Sequence, residues 1–205
     1  MRLGVLGGTF NPPHIGHLVL AQEAHASLSL DRVVWVPVSE APHREIEQDP
    51  GAEARLEMCD LATAPDERFG LSRVELDRPG PSYTADTLRE LRERSPEDEL
   101  VLLLGADQAT ALPDWHEPEE VLRHASLGVA ERAGQDASRE GVERALSGLA
   151  GGDRVEFFDM PRVDVSASMV RERAAAGRPI GYLVPDKVAS YIGARSLYGA
   201  SVPAS

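Results

Sequence analysis

The chain has 205 residues, of which 42% are hydrophobic, so it can bury the core of one domain but hardly of two. No apolar run approaches the roughly 18 residues of a membrane-spanning helix, and the amino terminus lacks the pattern of a signal peptide, so we expect a cytoplasmic protein without a membrane partner. The formal net charge of −13 argues against a general nucleic-acid-binding surface.

Apolar, β-branched runs alternate with helical patterns along the chain. The predicted strands are Leu3–Leu6, Val33–Val38, Phe69–Leu76, Leu100–Leu104, Leu127–Ala130 and Val155–Phe158. The predicted helices are Gly16–Leu28, Ala52–Ala64, Thr84–Glu93, Glu117–Arg123, Arg139–Leu149, Ser168–Ala176 and Asp186–Ile192. This alternation predicts an α/β, Rossmann-like, doubly wound fold with a mostly parallel sheet and helices on both faces. We expect a single domain over residues 1–200 and a tail over 201–205; homo-oligomer formation stays open.

The first predicted strand is followed by G-G-T-F-N-P-P-H-I-G-H, residues 7–17. Gly7 and Gly8 free backbone N–H groups where the strand ends, and the next helix adds its first N–H groups and the positive end of its dipole. His14 and His17 lie three residues apart on one side of that turn, so both can face the same anion. The junction therefore predicts a nucleotide-phosphate site, where a phosphate would favour the imidazolium form of either histidine.

Other interpretations of this junction have less support. The junction lacks G-x-G-x-x-G and the chain lacks a P-loop sequence, so neither a dinucleotide fingerprint nor a P-loop is supported. Two histidines at this spacing also occur as zinc ligands or as surface residues. Lys187 is the single lysine, so arginine must supply any charged phosphate contact. Cys59 is the single cysteine, which excludes an intrachain disulfide; we expect it to be buried and unreactive.

Three further motifs have both a structural and a ligand-binding interpretation. In P-S-Y-T-A-D-T-L, residues 81–88, Ser82 or Thr84 would cap the next helix, whose start could also receive an anion. Asp107, in G-A-D-Q after a very apolar strand, would cap a helix or bind a ligand. Trp115 would be a packing residue or a stacking platform.

Two polar segments complete the set of candidate sites. V-S-A-S-M-V-R places Ser166 and Ser168 at a helix start and Arg171 about one turn later. The serines can be caps and Arg171 a solvated residue; beside the first junction, however, they would form a second anion site for the β and γ phosphates. The loop Ser39–Gly51 follows the second strand, where ligands bind in open α/β sheets, but its composition favours an ordinary surface connection.

Together these motifs resemble the nucleotidylyltransferases that carry a [HT]-x-G-H signature, and among them the chain is similar to the bacterial nicotinate-nucleotide adenylyltransferase family. The resemblance extends from Leu3 to about Tyr198 over G-G-T-F-N-P-P-H-I-G-H, A-P-H-R, P-S-Y-T-A-D-T-L, G-A-D-Q…D-W and V-S-A-S-M-V-R. The third block points to the nicotinate branch. Ala167 and Ser168 depart from the family pattern I-S-S-T-x-[IV]-R, which puts only an Ala167 side-chain contact in doubt.

The resemblance implies an enzyme of NAD biosynthesis that joins nicotinate mononucleotide to the adenylyl group of ATP and releases pyrophosphate. It implies His14, His17 and Arg171 as catalytic residues. The implied ATP contacts are Gly7, Gly8, Thr9, Phe10, His14, His17, Gly105, Asp107, Ser166, Ser168 and Arg171. The implied mononucleotide contacts are Tyr83, Thr84, Trp115 and His116. His43, Arg44 and Arg132 are secondary candidates for contacts to its phosphate. Mg²⁺ would arrive with ATP, so no protein metal ligand is expected.

Three alternatives share part of this pattern. A related transferase acting on phosphopantetheine would share the first and last blocks but not P-S-Y-T-A-D-T-L. Class I aminoacyl-tRNA synthetases share H-I-G-H, yet Lys187 alone cannot build their lysine-bearing second signature. A non-catalytic nucleotide sensor would keep the pocket without the chemistry. We expect the remaining His25 and His124 to be helix-surface or packing residues.

Overall fold

The structure, a computed structural model, describes residues 1–42, 45–132 and 139–200. Within these ranges the strands are β1 Arg2–Gly8, β2 Arg32–Pro37, β3 Phe69–Leu71, β4 Glu99–Gly105, β5 Ala125–Arg132 and β6 Val155–Met160. The α-helices are α1 Ile15–Ser27, α2 Ala52–Thr63, α3 Thr84–Arg94, α4 Ala106–Ala111, α5 Pro118–His124, α6 Arg139–Leu146, α7 Ala167–Ala175 and α8 Asp186–Ala194. The expected tail at 201–205 lies outside the described residues.

The six strands form one sheet in the order β3-β2-β1-β4-β5-β6, and each neighbouring pair is parallel. This arrangement confirms the predicted Rossmann-like fold. The chain moves outward from β1 to β3 and then returns to the other side of β1 as β4. In such open sheets, ligands bind outside the carboxyl ends of the strands at the point where the order reverses. The topology therefore directs attention to the loops after β1 and β4.

Both faces of the sheet are covered by helices, as the alternation of side chains in β4 shows. Leu100, Leu102 and Leu104 pack with buried residues of α3, α4, α5 and α6. Val101 and Leu103 point the other way and pack with residues of α1 and α2. A strand that is buried on both faces has a continuous run of apolar residues in its sequence, which is typical of a parallel sheet.

A smaller core brings the carboxyl-terminal helices next to α2. Met58 of α2 is buried against Val170 of α7 and against Val188 and Ile192 of α8. Tyr198, in the short 3₁₀ segment Leu197–Gly199 that follows α8, packs against the same core. This packing returns residues near the end of the described chain to the edge of the sheet where β1 and β2 end.

The observed elements differ from the predicted ones in one strand that is shorter and in one helix that was not predicted. The strand expected over Phe69–Leu76 ends at Leu71, because the chain then turns, with the Asp77 N–H donating to the Arg73 carbonyl. The six-residue α4 was absent from the prediction. Cys59 and Lys187 agree with expectation: the cysteine is fully buried, burial raises the pKa of its thiol, and the lysine is exposed. In the part of the chain that the structure describes, no helix is long and apolar enough to cross a bilayer.

Candidate active site

The loop after β1 folds an aromatic side chain back over the end of the strand. Phe10 has a positive φ of 47° and stacks on Trp35 of β2, with ring centroids 4.9 Å apart. A Cβ atom at Gly8 would lie 3.0 Å from the Phe10 ring, a tight contact that a larger residue could make only if the ring moved. The buried Phe10 also contacts the His17 ring edge-on at 5.0 Å. The loop thus fixes the aromatic wall against which His17 lies.

His14 and His17 form a stacked pair at the start of α1. Their ring centroids are 3.8 Å apart, and His17 Nδ1 accepts a hydrogen bond of 3.1 Å from the His14 backbone N–H. A ring nitrogen that accepts a backbone N–H carries no hydrogen, so the hydrogen of His17 lies on Nε2. The sequence-based expectation of an imidazolium does not fit His17 in this geometry, which holds a neutral ring with an Nε2–H donor.

Arg171 joins the first and last sequence blocks. Its side chain is 10% exposed, and Nη1 donates to the Asn11 carbonyl at 2.9 Å, although 160 residues separate them. Nε donates to Gln48 Oε1 and Nη2 to Glu47 Oε2, each at 3.2 Å. The solvated interpretation of Arg171 is therefore wrong. The contacts of Glu47 and Gln48 also show that this end of the Ser39–Gly51 loop is more than an ordinary surface connection.

The serines of the last block differ in their roles. Ser166 is the N-cap of α7, and its Oγ accepts from the Met169 backbone N–H at 3.2 Å. This confirms the capping interpretation, and the hydroxyl proton remains able to donate to a ligand. Ser168 lies exposed in the first helical turn. The start of α7 thus presents hydroxyls and backbone N–H groups near the loop that Arg171 binds.

Arg55 is a site residue that sequence reasoning missed. Its side chain is 0% exposed, and its guanidinium donates to the backbone carbonyls of Thr9, Val38 and Ser39 and to Asp49 Oδ1. One buried cation therefore holds the loop after β1, the end of β2 and the segment before α2. An arginine in a helical pattern normally predicts a solvated side chain, so the sequence carries no signal for this role.

The start of α3 provides a separate site feature. The N-cap is Tyr83, which lacks the short acceptor that serine or aspartate offers at this position. Ser82 Oγ instead accepts from the backbone N–H groups of Ser39 and Glu40, at 3.1 and 3.3 Å, and Thr84 is the first helical residue. The prediction that Ser82 or Thr84 caps this helix is therefore wrong. The hydroxyl of Ser82 is used to join the α3 start to the end of β2.

Tyr83 and His116, two predicted mononucleotide contacts, lie together in the structure. Their ring centroids are 4.1 Å apart. Trp115 is half-buried and packs against the core beneath α3 to α6, so its packing interpretation is confirmed for part of its surface. His116 is exposed. Trp115, the residue expected to stack on a pyridine ring, therefore directly precedes the His116 side chain that contacts Tyr83 at the start of α3.

Asp107 lies at the carboxyl end of β4, on the first turn of α4. The N-cap of that helix is Gly105, so the capping role considered for Asp107 is wrong. The carboxylate of Asp107 folds back over Gly105, where an added Cβ would lie 2.7 Å from Oδ1. Asp107 is exposed and so remains available to a ligand hydroxyl.

A second buried charge-bearing group, Glu75, lies under α3. It is 5% exposed, and its Oε1 accepts from the Thr87 hydroxyl at 2.7 Å. Within the described residues its Oε2 has no hydrogen-bond partner. Burial raises the pKa of this carboxyl above its usual range, against the hydrogen bonds of Thr87 and Ser82, which lower it. Glu75 was not predicted, because it fell within the strand expected over Phe69–Leu76, where an acidic side chain normally indicates the solvent-facing side.

The remaining candidates are only partly described. His43 and Arg44 lie outside the described residues, and Arg132 is the last residue of β5, at the carboxyl edge, with a side chain that is also outside them. His25 is half-buried on α1, and His124 lies at the end of α5, where burial lowers the pKa of its imidazole. Both agree with the expected surface or packing roles.

Comparison with known proteins identifies the family. The cytidylyltransferase-like family model matches residues 5–173. A protein of Shouchella clausii named probable nicotinate-nucleotide adenylyltransferase is 39% identical over 198 residues, covering 97% of each chain. A protein of the same name from Leifsonia xyli is 43% identical over 197 residues, covering 96% of this chain and 94% of the relative.

The fold comparison gives the same result. The structure of Plasmodium falciparum nicotinic acid mononucleotide adenylyltransferase, complexed with NaAD, superposes with a TM-score of 0.77 over 98% of both chains, at 17% identity. At that identity the likeness concerns the fold. The family-wide match and the full-length relatives carry the assignment: this chain belongs to the nicotinate-nucleotide adenylyltransferase family.

Proposed function

We propose that the pocket at the carboxyl edge of this sheet joins nicotinate mononucleotide to the adenylyl group of ATP, the reaction of the family, with His14, His17 and Arg171 acting on the phosphates. The observation that carries the proposal is the Arg171 to Asn11 hydrogen bond of 2.9 Å. It unites the G-G-T-F-N-P-P-H-I-G-H and V-S-A-S-M-V-R blocks in one site. Two helix starts and one guanidinium then converge where a triphosphate needs donors.

The reaction is an in-line displacement at the α-phosphorus. A phosphate oxygen of nicotinate mononucleotide forms a bond to that phosphorus, and the bond to the β-phosphate oxygen breaks, releasing pyrophosphate. The attacking phosphate is already anionic near neutral pH, so the step needs no general base. Catalysis then depends on positioning two polyanions and stabilising the charge that develops between them.

The histidine pair suits this task. In the geometry described above, His17 presents Nε2–H as a donor, which we assign to an α-phosphate oxygen. His14 lies buried beside it and is assigned to the adjoining phosphates, together with the N–H groups of Gly7, Gly8, Thr9 and the Phe10 region. A preorganised neutral donor stabilises the transition state without having to lose or gain a proton during the reaction.

Arg171, with Ser166 and Ser168, is assigned to the departing pyrophosphate. The acceptor now bound to Nη2 is Glu47, whose side chain is 84% exposed, so an incoming phosphate oxygen can replace it at small cost. Ser166 keeps its capping bond while donating its hydroxyl proton. Asp107 is assigned to a ribose hydroxyl of ATP, beside Gly105.

Enzymes of this kind generally use a divalent metal with ATP, and we propose Mg²⁺. Among the described residues, no group of three or more His, Cys, Asp or Glu is placed to hold a metal ion. The donors of the site are imidazole, guanidinium, hydroxyl and N–H groups, which fit phosphate oxygens. We therefore assign the ion to the triphosphate and water, as its reluctance to dehydrate favours, where it would neutralise phosphate charge.

The second substrate is assigned to the start of α3. Backbone N–H groups near Tyr83 and Thr84 would bind the pyridine carboxylate, because a helix start favours an anion over a neutral carboxamide. Trp115 would stack on the pyridine ring, and the His116 backbone would help to hold the carboxylate. We add His43, Arg44 and Arg132 as contacts to the mononucleotide phosphate. Homo-oligomer formation and a cytoplasmic location stay predictions.

The test is an acceptor panel. Pyrophosphate release from ATP is measured with nicotinate mononucleotide, with phosphopantetheine and without acceptor, and the dinucleotide product is identified by mass spectrometry. We expect pyrophosphate release only when nicotinate mononucleotide is the acceptor. Release with phosphopantetheine alone would favour the related transferase, whereas ATP binding without release on any acceptor would favour the nucleotide sensor.

A further inference from the structure

Asn11 is the meeting point of four segments that are distant in the sequence. Its side chain is buried, its Oδ1 accepts from the Tyr198 hydroxyl at 2.7 Å, and its Nδ2 donates to the Glu47 carbonyl at 2.7 Å. Its backbone carbonyl accepts from Arg171. Asn11 therefore joins the loop after β1, to which it belongs, to the segment before α2, to helix α7 and to the end of the described chain.

Tyr198 is held in an unusual conformation to make this bond. Its φ is 58°, a left-handed value that is unfavourable for a non-glycine residue and persists where surrounding contacts require it. Phe10, next to Asn11, has a positive φ as well. Two residues in the left-handed region thus lie on either side of the Tyr198 to Asn11 hydrogen bond.

The surroundings of Tyr198 keep its hydroxyl a donor. Burial raises the pKa of the phenol well above its usual range, although Arg171 and Arg55 act in the opposite direction. This direction agrees with the geometry, in which the hydroxyl donates its hydrogen to Asn11 Oδ1. Its hydrogen bond to Asn11 places the hydroxyl against the loop after β1, because Asn11 precedes His14, the N-cap of α1, by three residues.

We infer that Tyr198 is a positioning residue for adenylyl transfer: through Asn11 it fixes the loop that carries His14 and His17 relative to Arg171. Without the phenolic hydroxyl, Asn11 Oδ1 loses its donor and the loop keeps fewer restraints between the histidine pair and the guanidinium. The histidine pair and the Arg171 guanidinium must contact one triphosphate at the same moment. A small displacement of one relative to the other therefore lowers the rate of the chemical step. This inference rests on the proposed function for its kinetic consequence, but its structural consequence can be measured without any acceptor.

The chain supplies a matched control in Tyr191. Its hydroxyl donates at 2.8 Å to the exposed Glu57 of α2, a hydrogen bond that involves neither Asn11 nor Arg171. Y198F and Y191F therefore each delete one phenolic hydroxyl and one hydrogen bond from the same carboxyl-terminal region. We expect Y198F to lower kcat about tenfold with little change in KM for nicotinate mononucleotide, and Y191F to stay within about twofold of wild type.

Two further measurements separate positioning from folding. Imidazole ¹⁵N spectra of the free protein should show altered His14 and His17 signals in Y198F and unaltered ones in Y191F. In an N11A background, adding Y198F should cause no further loss of kcat, because the acceptor is already absent.

The inference would be overturned by a Y198F protein with wild-type kcat and an unaltered imidazole spectrum. It would equally be overturned if the loss of activity followed the unfolded fraction, measured by circular dichroism, or if Y198F and N11A acted additively. Should the wild type itself fail to adenylate nicotinate mononucleotide, the proposed function is wrong. The spectra of Y198F and Y191F then still decide whether Tyr198 positions the histidine pair.

Discussion

His17 shows how one hydrogen bond decides the chemistry of a side chain. A histidine at a helix start could be an acid, a base, a metal ligand or a charge donor, and the spacing of two histidines does not distinguish these roles. The hydrogen bond from the His14 backbone N–H to His17 Nδ1 distinguishes these roles, because it leaves the ring hydrogen of His17 on Nε2. His17 therefore presents a fixed Nε2–H donor, which is what its proposed role at an α-phosphate oxygen requires.

Replacing His17 by alanine tests this role. We expect kcat to fall at least about 10²-fold, the usual cost of removing a donor to transition-state charge, while the protein stays folded. H25A provides the control, since His25 lies on the same helix, α1, and is assigned only a surface role. Steady-state pyrophosphate release and thermal melts of both variants are the measurements, and near-normal turnover in H17A would contradict the assignment.

The buried carboxyl of Glu75 should make the stability of the protein depend on pH. Burial raises the pKa of the carboxyl in the folded protein above its ordinary value, so its contribution to stability is complete in acid and is lost as pH rises through the raised pKa. In E75Q the amide stays neutral, so this loss is absent. Urea unfolding from about pH 4.5 to about pH 8 should show wild-type stability declining relative to E75Q. A difference that is flat or opposite in sign would exclude a raised pKa.

Sequence reasoning located the residues that could touch a ligand better than those that support them. The glycines, histidines and Arg171 carry recognisable chemistry at strand ends and helix starts. Arg55 and Glu75, by contrast, look like ordinary surface charges in the sequence, and their burial results from contacts with segments far along the chain. Ser82 carries a capping pattern, yet tertiary structure uses its hydroxyl on the Ser39–Glu40 backbone.

At the scale of elements, the site is a set of helix starts. Helix α1 follows the loop after β1, Arg171 of α7 binds the same loop at Asn11, and the first turn of α3 is joined by Ser82 to the end of β2. Each presents backbone N–H groups and the positive end of its dipole. An acidic protein can bind anionic substrates in this way with few cationic side chains.

Arg55 connects the loop after β1, the end of β2 and the segment before α2, so its removal should be costly. In R55M, three backbone carbonyls and Asp49 lose their donor, so we expect the free energy of unfolding to fall by at least about 3 kcal/mol. D49N is the matched variant, since the amide oxygen still accepts from Arg55, and we expect a loss of about 1 kcal/mol. Urea denaturation measures both free energies of unfolding, provided that their dependence on urea concentration is the same as in the wild type. Equal losses of stability in the two variants would contradict a central role for Arg55.

The order and type of the long elements followed from sequence, whereas short ones did not. Continuous apolar runs such as Leu100–Leu104 predicted parallel strands correctly because both of their faces are buried. The run from Phe69 suggested a strand to Leu76, but only three residues pair with β2 before the chain turns to place Glu75 beneath α3. Helix α4 is too short for its periodicity to show in the sequence.

At the scale of the whole molecule, the charge of −13 acts against both substrates. Long-range repulsion slows the approach of ATP, whereas the contacts within the site are short-ranged and less sensitive to salt. We therefore expect kcat/KM for ATP to rise as ionic strength increases from about 10 mM to about 150 mM at constant free Mg²⁺. A steady decrease over that range would show that local positive charge governs the approach of ATP.

In the proposed function, the start of α3 selects a pyridine carboxylate while the His17 and Arg171 regions hold ATP. The most direct test compares kcat/KM for nicotinate and nicotinamide mononucleotides, which differ only in replacing the carboxylate by a carboxamide. Charge-assisted hydrogen bonds at the helix start predict roughly a tenfold to hundredfold preference for the nicotinate substrate. Equal values for the two substrates would contradict the account.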